Sequence, residues 1–464
     1  MKKEYVAVWE ETYSSFIMDI FTRNILLYPY VIGNDLDEYI SFKIKGELIR
    51  TFCPKEVMNK IMEEHGKYFL DISNFKRIVK KYEKQLEEFE EIIQRIKKKD
   101  LSKLNDRQIY LLFKELMNFL LESGAYYRST RHETEAEASV IVRYILAKNF
   151  ENVNEQYGII TDSIKNNLIA RHKERWNELL SKEFDEEEIW KFIEDFPCFF
   201  VNIWDKKKII QMLREQHRKE KSEEIKKINL KEKQDEIFRI CNNKTLNDYA
   251  EMLQEIGYYR FETKQIWAGY ELRLILLFEE ISKRMNITIK DFFSYFLIED
   301  VENFFVKKIK ISEEELEKRK KCLAVIIKDG KYGIKTGNDA IELLNIVNPT
   351  KDGNQVKGAV ACRGIVRGIA RIVYPYGTDK SEEEANKFNK GEILVTTNTQ
   401  PSMVPLMAKT SAMVSDTGGI TCHTAIIARE FNIPCIVGTV NGTRVFKDGD
   451  FIEVNAEEGT VRKI

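Results

Sequence analysis

The sequence holds 7 cysteines, Cys53, Cys198, Cys241, Cys322, Cys362, Cys422 and Cys435, yet no CxxC pair, and none of its 5 histidines stands at metal-ligand spacing. This argues against a zinc module and for a reduced, cytoplasmic chain, so no metal ligand set is assigned. Long apolar runs are missing too. The opening MKKEYVAVWEETYSSFIMDIFTRN carries Glu4, Glu10, Glu11 and Asp19 where a signal peptide needs unbroken apolar residues, and no later segment reaches transmembrane length. A formal net charge of -1 gives no global field for nucleic acid or an anionic membrane, so neither is expected as a partner. No solenoid-period repeat is evident, and the first 340 residues contain no GxxxxGK[ST] or other glycine-rich phosphate cradle.

What is present is a chain of 464 residues, 43% hydrophobic and 32% charged, a globular balance too large for one ordinary core. Proline and glycine divide it. Of 8 prolines only Pro29, Pro54 and Pro197 precede Asn348, and 12 of 22 glycines lie beyond position 350. The first three-quarters is therefore expected to be mostly helical, with NFKRIVKKYEKQLEEFEEIIQRIKKKD as a long amphipathic helix. DRQIYLLFKELMNFLLESGAYYRSTRHETEAEASVIVRYILAKNF reads as one very long helix or two consecutive ones. In DKKKIIQMLREQHRKEKSEEIKKINLKEKQDEIFRI both signs of charge alternate, so an exposed helix or connection is expected there, not a nucleic-acid site.

After IVNPTKDGNQVKG the pattern changes. GIVRGIARIVYP, GEILVTT, SAMVSD, PCIVGT and DFIEVNAEEGTVRKI read as short β-branched strands, with HTAIIAREF, SEEEANKFNK and MVPLMAKT as helix candidates. The expected class is multidomain α plus α/β: a helical domain over 1–345 with room for two subdomains, a linker or hinge over 346–357, and a compact α/β domain over 358–464.

One scarce residue type sits at a telling place. In SAMVSDTGGITCHTAIIAREF the strand is expected to end near Asp416, Gly418 and Gly419 permit a turn or close backbone approach, and Thr421 is the expected N-cap. His423 then falls in the first helical turn, where free N–H groups and the positive helix end make an anion site and disfavour imidazolium, whose unperturbed pKa is about 6.5. A neutral imidazole there can attack phosphorus and leave again. For a lone histidine, simple capping or packing is the alternative.

The block Gly358 to Ile464 resembles the swivelling phosphohistidine domain, the PEP-utilising enzyme mobile domain, shared by phosphoenolpyruvate synthase, pyruvate phosphate dikinase, enzyme I of the sugar phosphotransferase system and rifampin phosphotransferase. GEILVTTNTQPSMVPLM, VSDTGGITCHTAIIAREFNIPCIVGT and DGDFIEVNAEEGTVRKI carry the resemblance in the family's order and spacing. It implies a swivelling β/β/α domain with His423 as the phosphorylated histidine, supported by the preceding Gly418, Gly419, the loop threonine Thr421 and Cys422. Cys422 stands where a serine is usual and Arg363 where a proline is usual. Neither change removes the nucleophile, and Cys422 reads as a serine substitute, a weaker hydrogen-bond partner, not as a catalytic thiol.

The resemblance also implies parts the chain does not display: an ATP-grasp domain to charge the histidine, or a barrel for pyruvate. ATP and Mg2+ are therefore expected on an ATP-grasp-type partner chain, with no cofactor held tightly on this one. YYRFETKQIWAGYELRLILLFEEISKRMNITIKDFFSYFLIEDVENFF resembles the helical region of phosphoenolpyruvate-synthase-like proteins and of rifampin phosphotransferase, which implies a small-molecule acceptor site among the helices. Arg128, Arg131, His132 and Glu135 on adjacent faces of one helix are candidates for it, as are Arg260, Lys264, Trp267 and Arg273. An internal salt-bridge network accounts equally well for the first group, and core packing of Trp267 with surface arginines for the second. The expectation is a phosphotransferase subunit that relays a phosphoryl group through His423; a carrier charged by phosphoenolpyruvate and a non-catalytic scaffold stand as alternatives.

Overall fold

The computed structural model describes residues 3–11, 13–27, 38–44, 48–201, 203–219, 229–349, 354–374, 387–399, 403–418 and 422–464, with residues 62, 132, 133, 219, 405, 423 and 426 described by backbone alone. By internal contacts the chain forms two units. One comprises Met1–Glu4, Tyr13–Ser41 and Cys53–Gly337; the other comprises Tyr5–Thr12, Phe42–Phe52 and Asn338–Ile464.

The N-terminal quarter departs from the helical expectation. Strands β1 (Tyr5–Glu11), β2 (Glu38–Ile44) and β3 (Leu48–Pro54) lie side by side in the order β1-β3-β2. YVAVWEE, EYISFKI and LIRTFCP are rich in β-branched and aromatic residues, and β2 and β3 are buried almost throughout, so tertiary packing sustains them. Farther on, β4 (Cys322–Lys328) and β5 (Lys331–Thr336) form an antiparallel hairpin, turned through Asp329 and Gly330 at φ of 51° and 69°.

β1 and most of β3 belong to the second unit; beyond Cys53, and apart from β4 and β5, the first unit is helical. Ile72–Lys97 is the long amphipathic helix, capped by Asp71, whose side chain accepts from Ser73 N. The next expected helix is two, Asp106–Tyr127 and His132–Leu146, broken by a 3-10 turn at Arg128–Thr130. Asn105 and Gln108 close a capping box at the start of the first. The charged stretch forms helices Lys206–Lys219 and Leu230–Cys241, and its middle, 220–228, lies outside the described residues. No helix among the described residues is long and apolar enough to cross a membrane.

From Asn338 on, the second unit is built on one sheet. Its strands are β6 (Gln355–Lys357), β7 (Ala359–Cys362), β8 (Ile365–Ile372), β9 (Ile393–Thr396), β10 (Ala412–Ser415), β11 (Cys435–Val437), β12 (Phe451–Asn455) and β13 (Thr460–Lys463), ordered β6-β13-β12-β8-β9-β10-β11-β7. The central run β8-β9-β10-β11 is parallel, and β12 on one side and β7 on the other pair antiparallel to it. β6 lies within the stretch read as linker and pairs with β13. The period of two sorts side chains cleanly: Ile393, Val395, Ala412, Val414 and Ile436 face one core, while Leu394, Met413, Cys435 and Val437 face another. The helix His423–Glu430 joins the second core through Ala425 and Ala428, both fully buried. Methyl-sized side chains let its axis lie close on the sheet. The helix candidate SEEEANKFNK falls largely outside the described residues, and MVPLMAKT contains the short helix Val404–Met407.

Leu394 has no exposed surface, whereas Ile365 on neighbouring β8 is 57% exposed. Leu394→Ala is expected to destabilise the second unit by about 2–5 kcal/mol and Ile365→Ala by less than about 0.5 kcal/mol, read as the shift of that unit's transition in urea unfolding.

Candidate functional site

Parallel strands put their carboxyl ends on one edge, and in open α/β sheets that edge is where ligands bind. Here the loops after β9, β10 and β11 are stitched together. Asp416 N donates to Thr396 O at 3.0 Å, Thr417 N to Thr397 O at 2.9 Å, Thr439 N to Ser415 O at 3.0 Å and Val440 N to Asp416 O at 2.9 Å. Thr399 and Thr424, both buried, share a hydroxyl–hydroxyl hydrogen bond of 2.9 Å.

At the tip of β10, Gly418 has φ of 99°, and a Cβ on it would lie 2.7 Å from Cys422 Sγ. Only glycine fits both the conformation and the space. Cys422, not the expected Thr421, holds the N-cap position, with φ of -72° and ψ of 165°, and its side chain makes no capping hydrogen bond. A thiol is a poor acceptor, so the first-turn N–H groups gain nothing from it. The helix begins at His423 itself. Gly419 and Thr421 lie outside the described residues, and His423 is described by its backbone only.

Beneath this turn sits a buried ionic cluster that the sequence reading missed. The Asp416 carboxylate accepts from Thr439 Oγ1 at 2.9 Å, from Thr443 N at 3.3 and 3.2 Å, and from Thr443 Oγ1. Arg50 Nη2 lies 3.7 Å from Asp416 Oδ2 and donates to Thr443 Oγ1 and Glu10 Oε1, each at 3.2 Å. Arg50 Nε is 2.9 Å from Glu10 Oε2 but at an angle that makes no hydrogen bond, so that contact is ionic. All four residues belong to the second unit. Burial, opposed by Arg50 and reinforced by Asp416, pushes the Glu10 carboxyl up to about 7. Burial lowers and Glu10 and Asp416 raise the Arg50 guanidinium, with a net rise above its usual value. Asp416 was legible as the end of a strand. Arg50 was not, because its partner Thr443 is 393 residues away.

The arginines named from the sequence as acceptor-site candidates lie in the first unit. Arg128 is buried; its Nε donates to Asn24 Oδ1 at 2.7 Å, its Nη1 to the Tyr39 hydroxyl at 3.5 Å and its Nη2 to Phe21 O. Arg260 Nε donates to Thr130 O at 2.7 Å and its Nη2 pairs with Glu135 at 2.9 Å. Arg131 is half-buried, its N donating to Arg128 O at 3.2 Å, and the His132 side chain lies outside the description. Arg128 and Arg260 thus meet at the Arg128–Thr130 turn, each engaged by acceptors of the protein itself. Trp267 is core, edge-on to Tyr13, Phe21 and Tyr127. Among the described residues no group of three or more histidine, cysteine or carboxylate side chains is arranged to hold a metal ion.

Two consequences can be measured. Gly418 and Gly449 both have positive φ, but only at Gly418 would a Cβ meet another atom within 4 Å. Gly449→Ala is expected to cost the conformational strain alone, about 1 kcal/mol, and Gly418→Ala distinctly more, by denaturant titration of the second unit. The second concerns Glu10, whose folded-state proton affinity exceeds its ordinary value of 4.5. Its contribution is fully present below that value and is lost as pH rises through about 7, on the order of 3 kcal/mol in all. The melting temperature of the second unit is expected to fall from about pH 5 to pH 8, and Glu10→Gln to flatten that decline.

Comparison with known proteins bears on the same segment. Residues 388–459 match the family model described as PEP-utilising enzyme, mobile domain. The chain is 44% identical over 106 residues to a probable phosphoenolpyruvate synthase of Archaeoglobus fulgidus, covering 23% of this chain and 13% of that protein. It is 44% identical over 117 residues to the probable phosphoenolpyruvate synthase of Staphylothermus marinus (25% and 14% covered), and 42% identical over 106 residues to the phosphoenolpyruvate synthase of Aeropyrum pernix (23% and 12% covered). The chain therefore spans only 12% to 14% of the length of these relatives. A solved structure, Thermococcus kodakaraensis aconitase X, aligns over 24% of this chain and 99% of that one at 18% identity and a TM-score of 0.19, too weak a likeness to carry a fold assignment. The segment that holds β9 to β12, the Gly418 turn and the helix beginning at His423 is thus the one in which this chain matches the mobile domain of PEP-utilising enzymes.

Proposed function

We propose that this chain is a phosphotransferase subunit that relays a phosphoryl group through His423. The observation that carries the reading is the helix that starts at His423, at the carboxyl edge of a parallel sheet, within the segment matching the mobile domain. In the first half-reaction a neutral ring nitrogen of His423 attacks phosphorus, a P–N bond forms, and the P–O bond to the donor breaks with its electron pair left on the donor oxygen. In the second, an acceptor oxygen attacks phosphorus, the P–N bond breaks with its pair returned to the ring, and the acceptor's proton goes to solvent. Helix-end N–H groups and the turn at Gly418 would stabilise the phosphoryl charge without further covalent chemistry.

The donor in this reading is ATP, bound with Mg2+ on a separate ATP-grasp chain, and the acceptor a small molecule such as pyruvate or an antibiotic-like hydroxyl compound held in the helical domain, where Arg128, Arg131 and Arg260 are the candidate contacts. The domain over 358–464, together with the stretches Tyr5–Thr12 and Phe42–Phe52 that belong to its unit, would swivel on a hinge at 346–357 between the rest of the helical domain over 1–345 and the partner, in the cytoplasm. A specific observation favours a second donor: the matched family and the relatives bear the name of phosphoenolpyruvate. Phosphoenolpyruvate could then charge the histidine without nucleotide.

Intact-mass analysis after incubation with ATP, Mg2+ and a candidate ATP-grasp partner is expected to show an acid-labile phosphoryl adduct, absent with ATP alone and absent in His423→Ala. Adduct formation with phosphoenolpyruvate alone would select the second donor. An equal adduct on the alanine variant would remove His423 from the reading.

A further inference from the structure

We infer that Arg50, on a strand far away in sequence, is a positioning residue for the turn between β10 and the helix beginning at His423, acting through Asp416. Its functional meaning rests on the phosphohistidine reading above, but the placement it describes is independent of that reading. Asp416 anchors the approach to the turn: its backbone joins Thr396 O and Val440 N, so its position bears on three loop ends at once, and Thr417 beyond it is held to Thr397 O. Two residues on, Gly418 turns at φ of 99°, and its carbonyl oxygen lies so close to Gly438 that a Cβ there would be 3.1 Å away. A shift of Asp416 is therefore passed directly to the turn.

Arg50 and Asp416 are 3% and 2% exposed. Buried charges lose hydration that their mutual attraction seldom more than repays, and apolar residues of similar volume often stabilise a core as well or better. What an ionic cluster adds is a defined geometry. The guanidinium is a rigid fork, and here it addresses Glu10, Thr443 and Asp416 together, while Thr443 returns its hydroxyl proton to Asp416. Gly442 completes the seat: a Cβ on it would stand 2.9 Å from Asp416 Oδ1. A lysine at position 50 keeps the charge but cannot span these partners.

The test uses the full chain carrying Arg50→Lys, Thr443→Val or Thr443→Ser, since the lysine and valine variants loosen the seat without leaving both carboxylates unopposed. Amide hydrogen exchange is followed in peptides covering 412–424 and, as an internal reference, 355–372. His423 labelling is followed with phosphoramidate, a small phosphoryl donor that needs no partner chain. Exchange over 412–424 is expected to quicken about tenfold in Arg50→Lys and Thr443→Val with the reference unchanged, Thr443→Ser to restore protection, and the saturating labelling rate to fall in step. Unchanged exchange over 412–424 would overturn the inference whatever the labelling shows, and so would a uniform rise over both regions, which would make Arg50 a general stabilising residue. If the loop loosens as expected but wild-type His423 takes no label, the positioning role stands and the phosphohistidine reading alone falls.

Discussion

The carboxylate of Asp416 is the constraint on which the carboxyl edge of the second unit depends. A buried carboxylate must be met by donors and opposite charge: hydrogen bonds come from Thr439 after β11 and from the Thr443 N–H and hydroxyl, and Arg50 adds its charge at 3.7 Å. No single segment supplies them. The consequence is cooperative: forming the seat for one charge brings loop ends and a distant strand into fixed register, and loss of any donor leaves the others wrongly placed. Glu10 rises beside it because burial strips its carboxylate of water, and Arg50, which also faces Asp416, offsets that only in part while Asp416 adds repulsion.

The sheet sets where that constraint acts. Four parallel strands, β8 to β11, deliver their loops to one edge, and their alternate residues fill separate cores on the two faces. Such strands are short, three to eight residues, so each contributes few ladder bonds. Side-chain burial on both faces, not strand length, holds them. Ala425 and Ala428 matter for the same reason, because a larger residue at either would lift the helix, and the backbone of His423 with it, away from the edge.

The second unit was largely legible from sequence. β-branched runs bounded by Gly and Pro announced β8 to β13, and the Gly-Gly stretch before HTAIIAREF announced a helix start, because these signals are local. Thr421 as N-cap was a misreading by one position: a threonine is the better cap by propensity, but the extended residue ahead of the helix is Cys422. The N-terminal strands were missed for a different reason. YVAVWEE and LIRTFCP are short runs amid helical surroundings, and nothing local says that they will be buried. The Arg50–Asp416 seat was beyond reach altogether, since charge complementarity between residues so far apart has no signature in a single sequence. Among the helices, the internal acceptors of Arg128 and Arg260, Asn24 and Thr130 O, were not legible in the sequence either, because they lie 104 and 130 residues away.

The thiol at the N-cap of the His423 helix bears on what the site can do. Serine or threonine at that position would give its oxygen to an N–H of the first turn, worth about 1 kcal/mol to the helix. Cys422 forgoes that bond, and its sulfur instead lies against the Gly418 turn and packs on the core that holds Cys435 and Met413. Stability is given up at the start of the His423 helix, whose first-turn N–H groups are left without a side-chain acceptor. A phosphoryl group would recover there what the cap does not supply, so the substitution of sulfur for oxygen shifts stabilisation from the empty site toward the occupied one. Under the proposed relay, that favours retention of the phosphoryl group on His423 over an uncharged resting state.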